Sequence, residues 1–575
     1  MMRVLGDVWR RLRRNEDGNV FVLFGATAIP LLLLMGGAVD FARYTRYKAD
    51  LSNAVDAAAL ALARKGEDYS EQQATDFVEN YVAGFGVGDK YFTISSFVVD
   101  KTANGFTVTV DASMRTMFLP LGNVAKIDAD ILAEVVHSSN QVELALVLDN
   151  TGSMNCGASV SGSCTGNWQH PGSSSRIAGL KRAASTLVDT LMTDEGFIKI
   201  AVVPFEGAVN IKNSSLDYAW LDWQDTPRAK YDGVNFDDVE YEVEAGEECT
   251  WVGHGRRRRQ VCETVYDTVS QEVSHKWLFD QLHDDDSNVE WAGCVEMRAE
   301  PYDVLDTTPD QSSPDTLFVP FFWPDEPDSD NDNGDWYSND YLDDATNDNG
   351  ESAQRHTNKY LPENIDWHGG AKDTSFPYES GPNYGCPRPV LPLTDDRDAV
   401  EAALDDMIAY PAMGTFIPTG LVWGWHALTP NAPLTEGIGP GDENYDRTVK
   451  ALVLLTDGEN SVTGTSNHNH SIFSGYNYTG TEVDGHYRLG SRNASAAEAQ
   501  LNTRTRTLCT SIKSAGIRLY TITFGDIPNA ARTLMRNCAT DDNGETLYYH
   551  APSNSELEDV FRSIGEDLSE IHLSM

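Results

Sequence analysis

Two apolar segments that each end abruptly in aspartate constrain the fold of this chain more than any other feature. Residues 142–148 and 449–455 are near-continuous runs of Val, Leu and Ala. Such runs are typical of strands buried on both faces of a parallel sheet, and ligands of open α/β sheets lie at the carboxyl ends of these strands. The oxygen-bearing side chains that follow the two runs are Asp149, Thr151, Ser153 and Asp457. Hard oxygen ligands of this kind suit Mg²⁺, Mn²⁺ or Ca²⁺.

A third segment, Gly414-Thr415, opens a helical pattern between the two strands. Together the three segments resemble the metal-ion-dependent adhesion site of von Willebrand factor A domains, in which an aspartate, two hydroxyls, a distant threonine and a second aspartate surround one divalent ion. The resemblance implies five ligands: Asp149, Thr151, Ser153, Thr415 and Asp457. Thr151 stands where the family more often has serine, and it offers the same oxygen. Mg²⁺ is the expected ion, with Mn²⁺ and Ca²⁺ as alternatives, and a partner protein would supply a carboxylate to the remaining position.

Strand and helix patterns alternate over residues 141–575, which predicts a doubly wound parallel sheet. The resemblance implies that this sheet is of the von Willebrand A type. The predicted strands cover residues 142–148, 198–203, 449–455 and 517–524. Segments of about 208–392 and 461–492 interrupt the pattern and are predicted insertions. The first insertion is far longer than an ordinary loop and must therefore carry its own structure or function.

Residues 19–39 contain no charged side chain and are long enough to cross a bilayer as a helix. Five arginines lie in the preceding tail, residues 1–18, whereas only Arg43, Arg46 and Lys48 follow closely. This bias predicts a cytoplasmic basic tail, a single transmembrane helix and a far-side location for the rest of the chain. A cleaved signal peptide is the alternative, with Ala26-Thr27-Ala28 as its site. The apolar run continues past that site to Val39, which favours an uncleaved anchor.

The segment from 40 to 140 is predicted to be a small α+β region of pilin-like outline. The helical pattern of the membrane segment continues to Arg64-Lys65-Gly66, where cations and glycine end it. Ser70 and Gln73 form a capping box for a second helix. Asn104-Gly105 between two β-rich runs predicts a hairpin.

The N-terminal segments resemble those of tight-adherence (Tad) pilus-assembly proteins of the TadE/TadG type. The resemblance is carried by Arg14–Gly18, by Asp40–Tyr44 and by the Ala/Leu stretch of residues 57–63. It implies a single-pass protein of the bacterial inner membrane with its bulk periplasmic or extracellular. A prepilin would have Glu five residues after its cleaved glycine, whereas Leu23 stands five residues after Gly18. We therefore expect an anchor and not a processed pilin.

Charge and cysteine content agree with an exported protein. The formal net charge of −45 argues against nucleic-acid binding, because a phosphate polymer would be repelled. All eight cysteines lie beyond residue 150, and an even number in an oxidising compartment predicts disulfides. The connectivity is formally open, with roughly 105 possibilities. Proximity in sequence suggests the pairs Cys156–Cys164, Cys249–Cys262 and Cys509–Cys538, which leaves Cys294 for Cys386.

The first insertion contains a basic cluster, Arg256–Arg259, and an acidic low-complexity run from Asp325 to Glu351 with eleven acids and no Lys or Arg. We interpret the acidic run as a solvated, disordered loop, since its spacing departs from that of a calcium-binding loop. The basic cluster has two interpretations: pairing with this acidic run, which net charge favours, or binding to an acidic partner.

The sequence leads to three hypotheses about function. The first is a non-enzymatic, membrane-anchored component of Tad (Flp) pilus assembly that binds a pilus-assembly or envelope protein through the metal site. The second is a surface adhesin that contacts host or substratum directly. The third, a hydrolase or metal-insertion enzyme, lacks support because the chain has no phosphate-binding glycine loop, nucleophile elbow or His-Glu-x-x-His motif.

Overall fold

A computed structural model describes residues 16–63, 69–86, 92–102, 105–136, 141–157, 171–192, 198–212, 218–328, 339–345, 350–368, 375–410, 412–542 and 544–573. The chain forms two compact units, residues 1–138 and 139–574, called here the N-terminal and C-terminal units. The division falls close to the predicted boundary between residues 140 and 141.

The α-helices of the described residues are α1 (Glu16–Ala63), α2 (Glu71–Gly84), α3 (Arg176–Leu191), α4 (His275–Asp285), α5 (Gly350–Arg355), α6 (Arg397–Asp406), α7 (Ile417–Ala427), α8 (Ala494–Ser514), α9 (Asn529–Cys538) and α10 (Asn554–Leu573). The strands are β1 (Thr93–Thr102), β2 (Gly105–Arg115), β3 (Lys126–Val136), β4 (Gln141–Asp149), β5 (Ile198–Phe205), β6 (Val209–Asn210), β7 (Val239–Val252), β8 (Arg259–Gln271), β9 (Cys294–Val295), β10 (Leu391–Thr394), β11 (Thr448–Thr456), β12 (Glu482–Val483), β13 (His486–Tyr487), β14 (Arg518–Phe524), β15 (Asp541–Asp542), β16 (Glu545–Thr546) and β17 (Tyr548–Ala551).

The N-terminal unit is built on α1, which continues through Pro30 as one helix. Its later part packs into a core with α2 and the antiparallel sheet β1-β2-β3, and Leu51 and Leu62 are fully buried there. Its earlier part exposes large apolar side chains such as Leu34 and Met35. Within the described residues, one helical stretch is long and apolar enough to cross a membrane, Phe24–Leu62. This is consistent with the predicted single-pass anchor.

The C-terminal unit contains a six-stranded mixed sheet in the order β10-β5-β4-β11-β14-β17. β5, β4, β11 and β14 correspond to the four predicted strands and are parallel, as predicted. β17 adds a fifth parallel strand that the sequence did not predict. The edge strand β10 is antiparallel to β5, so the prediction of a purely parallel sheet was wrong at this edge. β10 directly follows the long insertion, and an antiparallel neighbour does not require the crossover connection that a parallel neighbour needs.

Helices cover both faces of this sheet, which explains why the central strands are mostly apolar. Leu144 and Leu146 of β4 pack on one face with α3, α6 and α10. Ala145 and Val147 point to the opposite face, where they share a core with α7, α8 and α9. Side chains alternate between the two faces of a strand, so a strand with two covered faces is apolar at most positions on both faces. The exceptions, Glu143 of β4 and Lys450 of β11, form an ion pair with each other.

The first insertion belongs to the same hydrophobic core as the sheet. Phe318, Phe322 and Tyr360 pack in one cluster with Val147 and Val203. The insertion is therefore a layer over one face of the sheet, and its conformation depends on that face.

The ends of the acidic run are structured, so the prediction of a solvated, disordered loop was wrong for them. Asp325 is fully buried, accepts hydrogen bonds from the backbone N–H of Tyr341 at 2.6 Å and of Leu342 at 2.7 Å, and pairs with Lys359 at 2.5 Å. The buried ammonium and the two amides offset the cost of burying this carboxylate. Residues 329–338 and 346–349 lie outside the described residues.

The basic cluster lies at the tip of the exposed β7–β8 hairpin. Within the described residues none of its four arginines forms an ion pair, and the guanidinium of Arg258 lies 5.4 Å from the ring centroid of Trp251. The favoured interpretation, pairing with the acidic run, thus has no support in the described part of the chain.

Disulfides join Cys249 to Cys262, Cys294 to Cys386 and Cys509 to Cys538. These are the pairs that sequence proximity suggested. Cys156 is also disulfide-bonded, and its predicted partner Cys164 lies outside the described residues.

Replacing Cys294 and Cys386 together by alanine is expected to lower the free energy of unfolding of the C-terminal unit by about 4–5 kcal/mol, because this bridge closes a loop of 92 residues in the unfolded chain. The matched control replaces Cys249 and Cys262 by alanine. Its loss of unfolding free energy should be smaller, since the Cys249–Cys262 bridge closes a span of 13 residues between exposed strands. Urea unfolding followed by tryptophan fluorescence measures both. Eleven of the 12 tryptophans lie in the C-terminal unit, so this signal follows that unit. Equal losses in the two variants would contradict the prediction.

Candidate metal centre

The loop after β4 brings Asp149, Thr151 and Ser153 to the carboxyl end of the sheet. A 3₁₀ turn over Gly152–Asn155 follows the strand, closed by a hydrogen bond from the N–H of Met154 to the carbonyl of Thr151 at 2.9 Å. This turn reverses the chain directly after the buried strand, so the two hydroxyls stay beside the carboxylate.

Asp149 is fully buried, and its two carboxylate oxygens accept hydrogen bonds from different segments of the chain. Oδ1 accepts from the backbone N–H of Thr151 at 2.9 Å and from the hydroxyl of Thr151 at 2.6 Å. Oδ2 accepts from the hydroxyl of Thr456 at 2.7 Å. Thr456 was absent from the sequence prediction. It is the last residue of β11, directly before Asp457, and it ties the two central strands together at this edge.

Ser153 links the first loop to the second aspartate. Its Oγ lies 3.1 Å from Oγ1 of Thr151 and donates a hydrogen bond to Oδ1 of Asp457 at 2.6 Å. The other oxygen of Asp457, Oδ2, accepts from Nη1 of Arg176 at 2.6 Å. This ion pair is buried, with 7% of the Arg176 side chain exposed. Arg176 begins α3 and was not predicted from the sequence.

Thr415 reaches the same region from the loop before α7. The N–H of Ser461 donates to the carbonyl of Thr415 at 2.9 Å, and the side chain of Asn460 accepts from the N–H of Ile417 at 2.9 Å. A Cβ added at Gly458 would lie 3.7 Å from the hydroxyl oxygen of Thr415, so this hydroxyl faces the residue that follows Asp457. The structure therefore brings the five predicted residues to one edge of the sheet.

Glu206 is a further carboxylate at this edge that the sequence prediction missed. It directly follows β5 and is fully buried, and neither carboxylate oxygen has a hydrogen-bond partner. The amides of Tyr410 and Met413 lie near enough to lower its pKa, but neither forms a hydrogen bond of ordinary geometry. Burial first, and the charge of Asp149 second, raise the pKa of Glu206 well above its usual range. The sequence does contain a signal for Glu206, since it follows a third apolar strand in the way that Asp149 and Asp457 follow β4 and β11.

The buried charges at this edge do not balance. Three carboxylates, Asp149, Glu206 and Asp457, face one guanidinium, that of Arg176, which leaves an excess of two negative charges when all are ionised. Burial, followed by the charge of Asp457, raises the pKa of Asp149 to about 7, and burial also raises the pKa of Asp457. A divalent cation would supply the missing positive charge, and carboxylate and hydroxyl oxygens are its preferred ligands. The residues present fit such an ion.

The raised pKa of Asp149 predicts a specific dependence of stability on pH in the metal-free protein. The folded state holds this proton up to about pH 7, whereas an unfolded aspartate has a pKa near 3.8. The stabilising contribution is therefore complete below about pH 4 and is lost as the pH rises to 7. Relative to the Asp149→Asn variant, the wild type should lose up to about 4 kcal/mol of unfolding free energy between pH 4 and pH 8. Urea unfolding in the presence of EDTA measures the difference, and a pH-independent difference would contradict the prediction.

A second group of possible metal ligands lies in the first insertion. Oxygen and nitrogen atoms of Asp328, Asp340 and His368 lie within 4.8 Å of one another. His368 also lies 2.8 Å from Asp343, and its side chain is 46% exposed. The exposed imidazole of His368 lies beside these carboxylates, and this contact explains why the three residues are close together without a metal ion.

Residues 18–64 match the family described as putative Flp pilus-assembly TadE/G-like. This confirms the predicted Tad resemblance for α1 and supports a pilus-associated function for the chain. The match covers the helix that begins the N-terminal unit. Among curated proteins, no significant relative was found.

Solved structures with partial similarity include two pilus proteins. One is the pilus adhesin SpaC from Lactobacillus rhamnosus GG, with 11% identity and a TM-score of 0.27, covering 84% of this chain and 35% of SpaC. Another is the PilB minor pilin from Streptococcus sanguinis, with 11% identity and a TM-score of 0.30, covering 83% of this chain and 78% of PilB. This chain thus spans about a third of the length of the SpaC structure. No residue role is transferred from either protein.

Proposed function

We propose that this chain is a membrane-anchored component of Tad (Flp) pilus assembly that binds another protein through a divalent cation. In this proposal, residues 139–574 form a von Willebrand A-type domain. Support comes from the TadE/G-like segment, residues 18–64, joined in one chain to an α/β unit with an oxygen-rich edge.

The observation that carries the binding proposal is the burial of three carboxylates, Asp149, Glu206 and Asp457, at an edge with one buried guanidinium, that of Arg176. Asp149, Ser153 and Thr415 would hold the ion, with Thr151 and Asp457 bound directly or through water. Glu206 would contribute negative charge from the end of β5. Mg²⁺ is the preferred ion of this proposal, and Mn²⁺ and Ca²⁺ share its oxygen chemistry.

The role we propose for the ion is binding and not catalysis. A cation held by the protein on one side can accept a carboxylate oxygen from another protein on its open side. Its affinity for that partner would then depend on divalent metal. The partner is a pilus-assembly or envelope protein with an accessible Asp or Glu.

The test is the Asp457→Asn variant expressed in the native host. The variant should reach the membrane at the wild-type level but reduce surface pili and attachment together, because the ion that recruits the partner is lost. Asp526→Asn is the matched control: its side chain is 71% exposed and follows β14 at the same edge of the sheet. Normal pilus numbers with lost attachment would instead support a surface adhesin. Wild-type pili and attachment in a full deletion would overturn both functions.

A further inference from the structure

The connection between β2 and β3 has the composition of a membrane-contacting loop. Residues 116–125, called here the apolar loop, read Thr-Met-Phe-Leu-Pro-Leu-Gly-Asn-Val-Ala and contain no charged side chain. Met117 is 67% exposed and Leu121 is 74% exposed. Large exposed apolar side chains clustered in one loop mark a contact surface.

Two cations border the apolar loop. Arg115 ends β2 and Lys126 begins β3, and the two residues are directly opposite each other in the sheet. Both are exposed, and within the described residues neither forms an ion pair. A cationic border around an apolar tip is complementary to lipid phosphates above acyl chains.

The apolar loop packs against the apolar part of α1. A Cβ at Gly36 would overlap the side chain of Phe118, so only glycine permits this contact. The loop also approaches Leu33, which comes earlier in the helix than Gly36: a Cβ at Gly122 of the loop would lie 3.6 Å from the side chain of Leu33. Leu33 precedes Asp40, the first charged residue after the apolar segment, by seven positions, or about 10 Å along a helix. The loop therefore lies beside helical residues that would be inside the bilayer.

Most backbone N–H groups of the apolar loop have acceptors within the protein. The buried carboxylate of Asp40 accepts hydrogen bonds from the N–H groups of Met117, Phe118 and Leu119 at 2.7–3.1 Å. Four further backbone donors, in residues 116, 121, 123 and 124, bond to carbonyls of the loop itself, and Pro120 has no N–H. Irregular backbone can lie at membrane depth only when its polar groups have protein partners.

We propose that the apolar loop inserts into the interfacial region of the same bilayer that α1 spans, with Arg115 and Lys126 at the level of the lipid phosphates. The proposal rests on the membrane anchor and adds a second membrane contact beside it. The chain would then be held to the bilayer at two points, which restricts the tilt of the N-terminal unit relative to the membrane. Asp40 acts as the structural tie between the helix and the loop.

The test uses the full-length chain reconstituted in vesicles of phosphatidylcholine and phosphatidylglycerol. A single engineered cysteine, labelled with an environment-sensitive fluorophore, is placed in the loop (Leu121→Cys), in the helix (Leu34→Cys) or on the exposed face of β3 (Leu132→Cys). All three side chains are at least 67% exposed, so the substitutions should not disturb folding. Lipids with a nitroxide on the acyl chain quench labels that enter the bilayer.

Labels at positions 121 and 34 should shift their emission to the blue and lose most of their fluorescence to the nitroxide lipids, while the label at position 132 should not. Quenching at 34 without quenching at 121 would overturn the loop proposal and leave the anchor intact. Absence of quenching at both positions would overturn the anchor and the loop together. Equal quenching at 132 would show non-specific adsorption and would also overturn the proposal.

Discussion

Replacement of Asp149 by asparagine is expected to lower the affinity of the protein for Mg²⁺ and Mn²⁺ by about 100-fold or more. Even groups outside the coordination sphere of a metal contribute roughly 10- to 100-fold to affinity. Asp149 is the buried carboxylate at the centre of the network, bonded to Thr151 and Thr456. Its amide replacement keeps the size of the side chain but removes one negative charge and one oxygen.

Isothermal titration calorimetry of the purified protein at pH 8 measures this loss, and divalent-dependent protection against unfolding provides a second signal. The wild type should gain stability from Mg²⁺ by mass action, and the variant should not. Asp526→Asn removes an exposed carboxylate from the same sheet edge and should leave the titration unchanged. Wild-type affinity in Asp149→Asn would remove the metal-site assignment and leave the sheet unaffected.

Replacement of Arg176 by methionine is expected to destabilise the metal-free C-terminal unit by about 3–5 kcal/mol, since removing one partner leaves a buried charge without compensation. Arg176 bonds to Asp457 at 2.6 Å with 7% of its side chain exposed. Methionine retains much of the length and the apolar contacts of arginine but cannot donate to a carboxylate. A bound divalent ion would compensate Asp457 in its place, so the cost should be smaller in Mg²⁺ than in EDTA.

Arg182→Met is the matched control in the same helix. Arg182 pairs with Glu558 at 3.1 Å, but its side chain is 47% exposed. Surface ion pairs contribute at most about 1 kcal/mol, so this variant should remain close to the wild type. Urea unfolding monitored by tryptophan fluorescence, with and without Mg²⁺, compares the two variants. Equal costs for both would show that the Arg176–Asp457 pair is not required, and a cost independent of Mg²⁺ would argue against an ion beside Asp457.

Local sequence patterns predicted the elements that position the candidate site. The apolar runs predicted at residues 142–148 and 449–455 are strands β4 and β11, and the aspartates that follow lie at their carboxyl ends. Ser70 and Gln73 form the predicted capping box of α2. These predictions succeed because they depend on chemistry within a few residues: a doubly covered strand is apolar at most of its positions, and a helix start needs an acceptor for its free N–H groups.

Only the tertiary structure decided which other groups share the site. Arg176 begins a helix that also contains surface cations, and its sequence does not distinguish it from Arg182. Glu206 lies 57 positions beyond Asp149 in the chain yet directly follows the neighbouring strand. Their roles depend on strand order and on burial, which change the energies of charges by bringing distant segments into a medium of low polarity.

The sequence by itself determined the apolar helix, the strands that end in carboxylates and the residue types suited to a divalent ion. The tertiary structure decided the antiparallel direction of β10, the packing of the first insertion onto the sheet and the burial of Asp325 beside Lys359. The physical difference between the two sets of features is the distance along the chain over which each is decided. Apolar periodicity is a property of neighbouring residues, whereas strand direction and charge compensation depend on where a long insertion returns to the core, and many paths of the chain are compatible with the same local pattern.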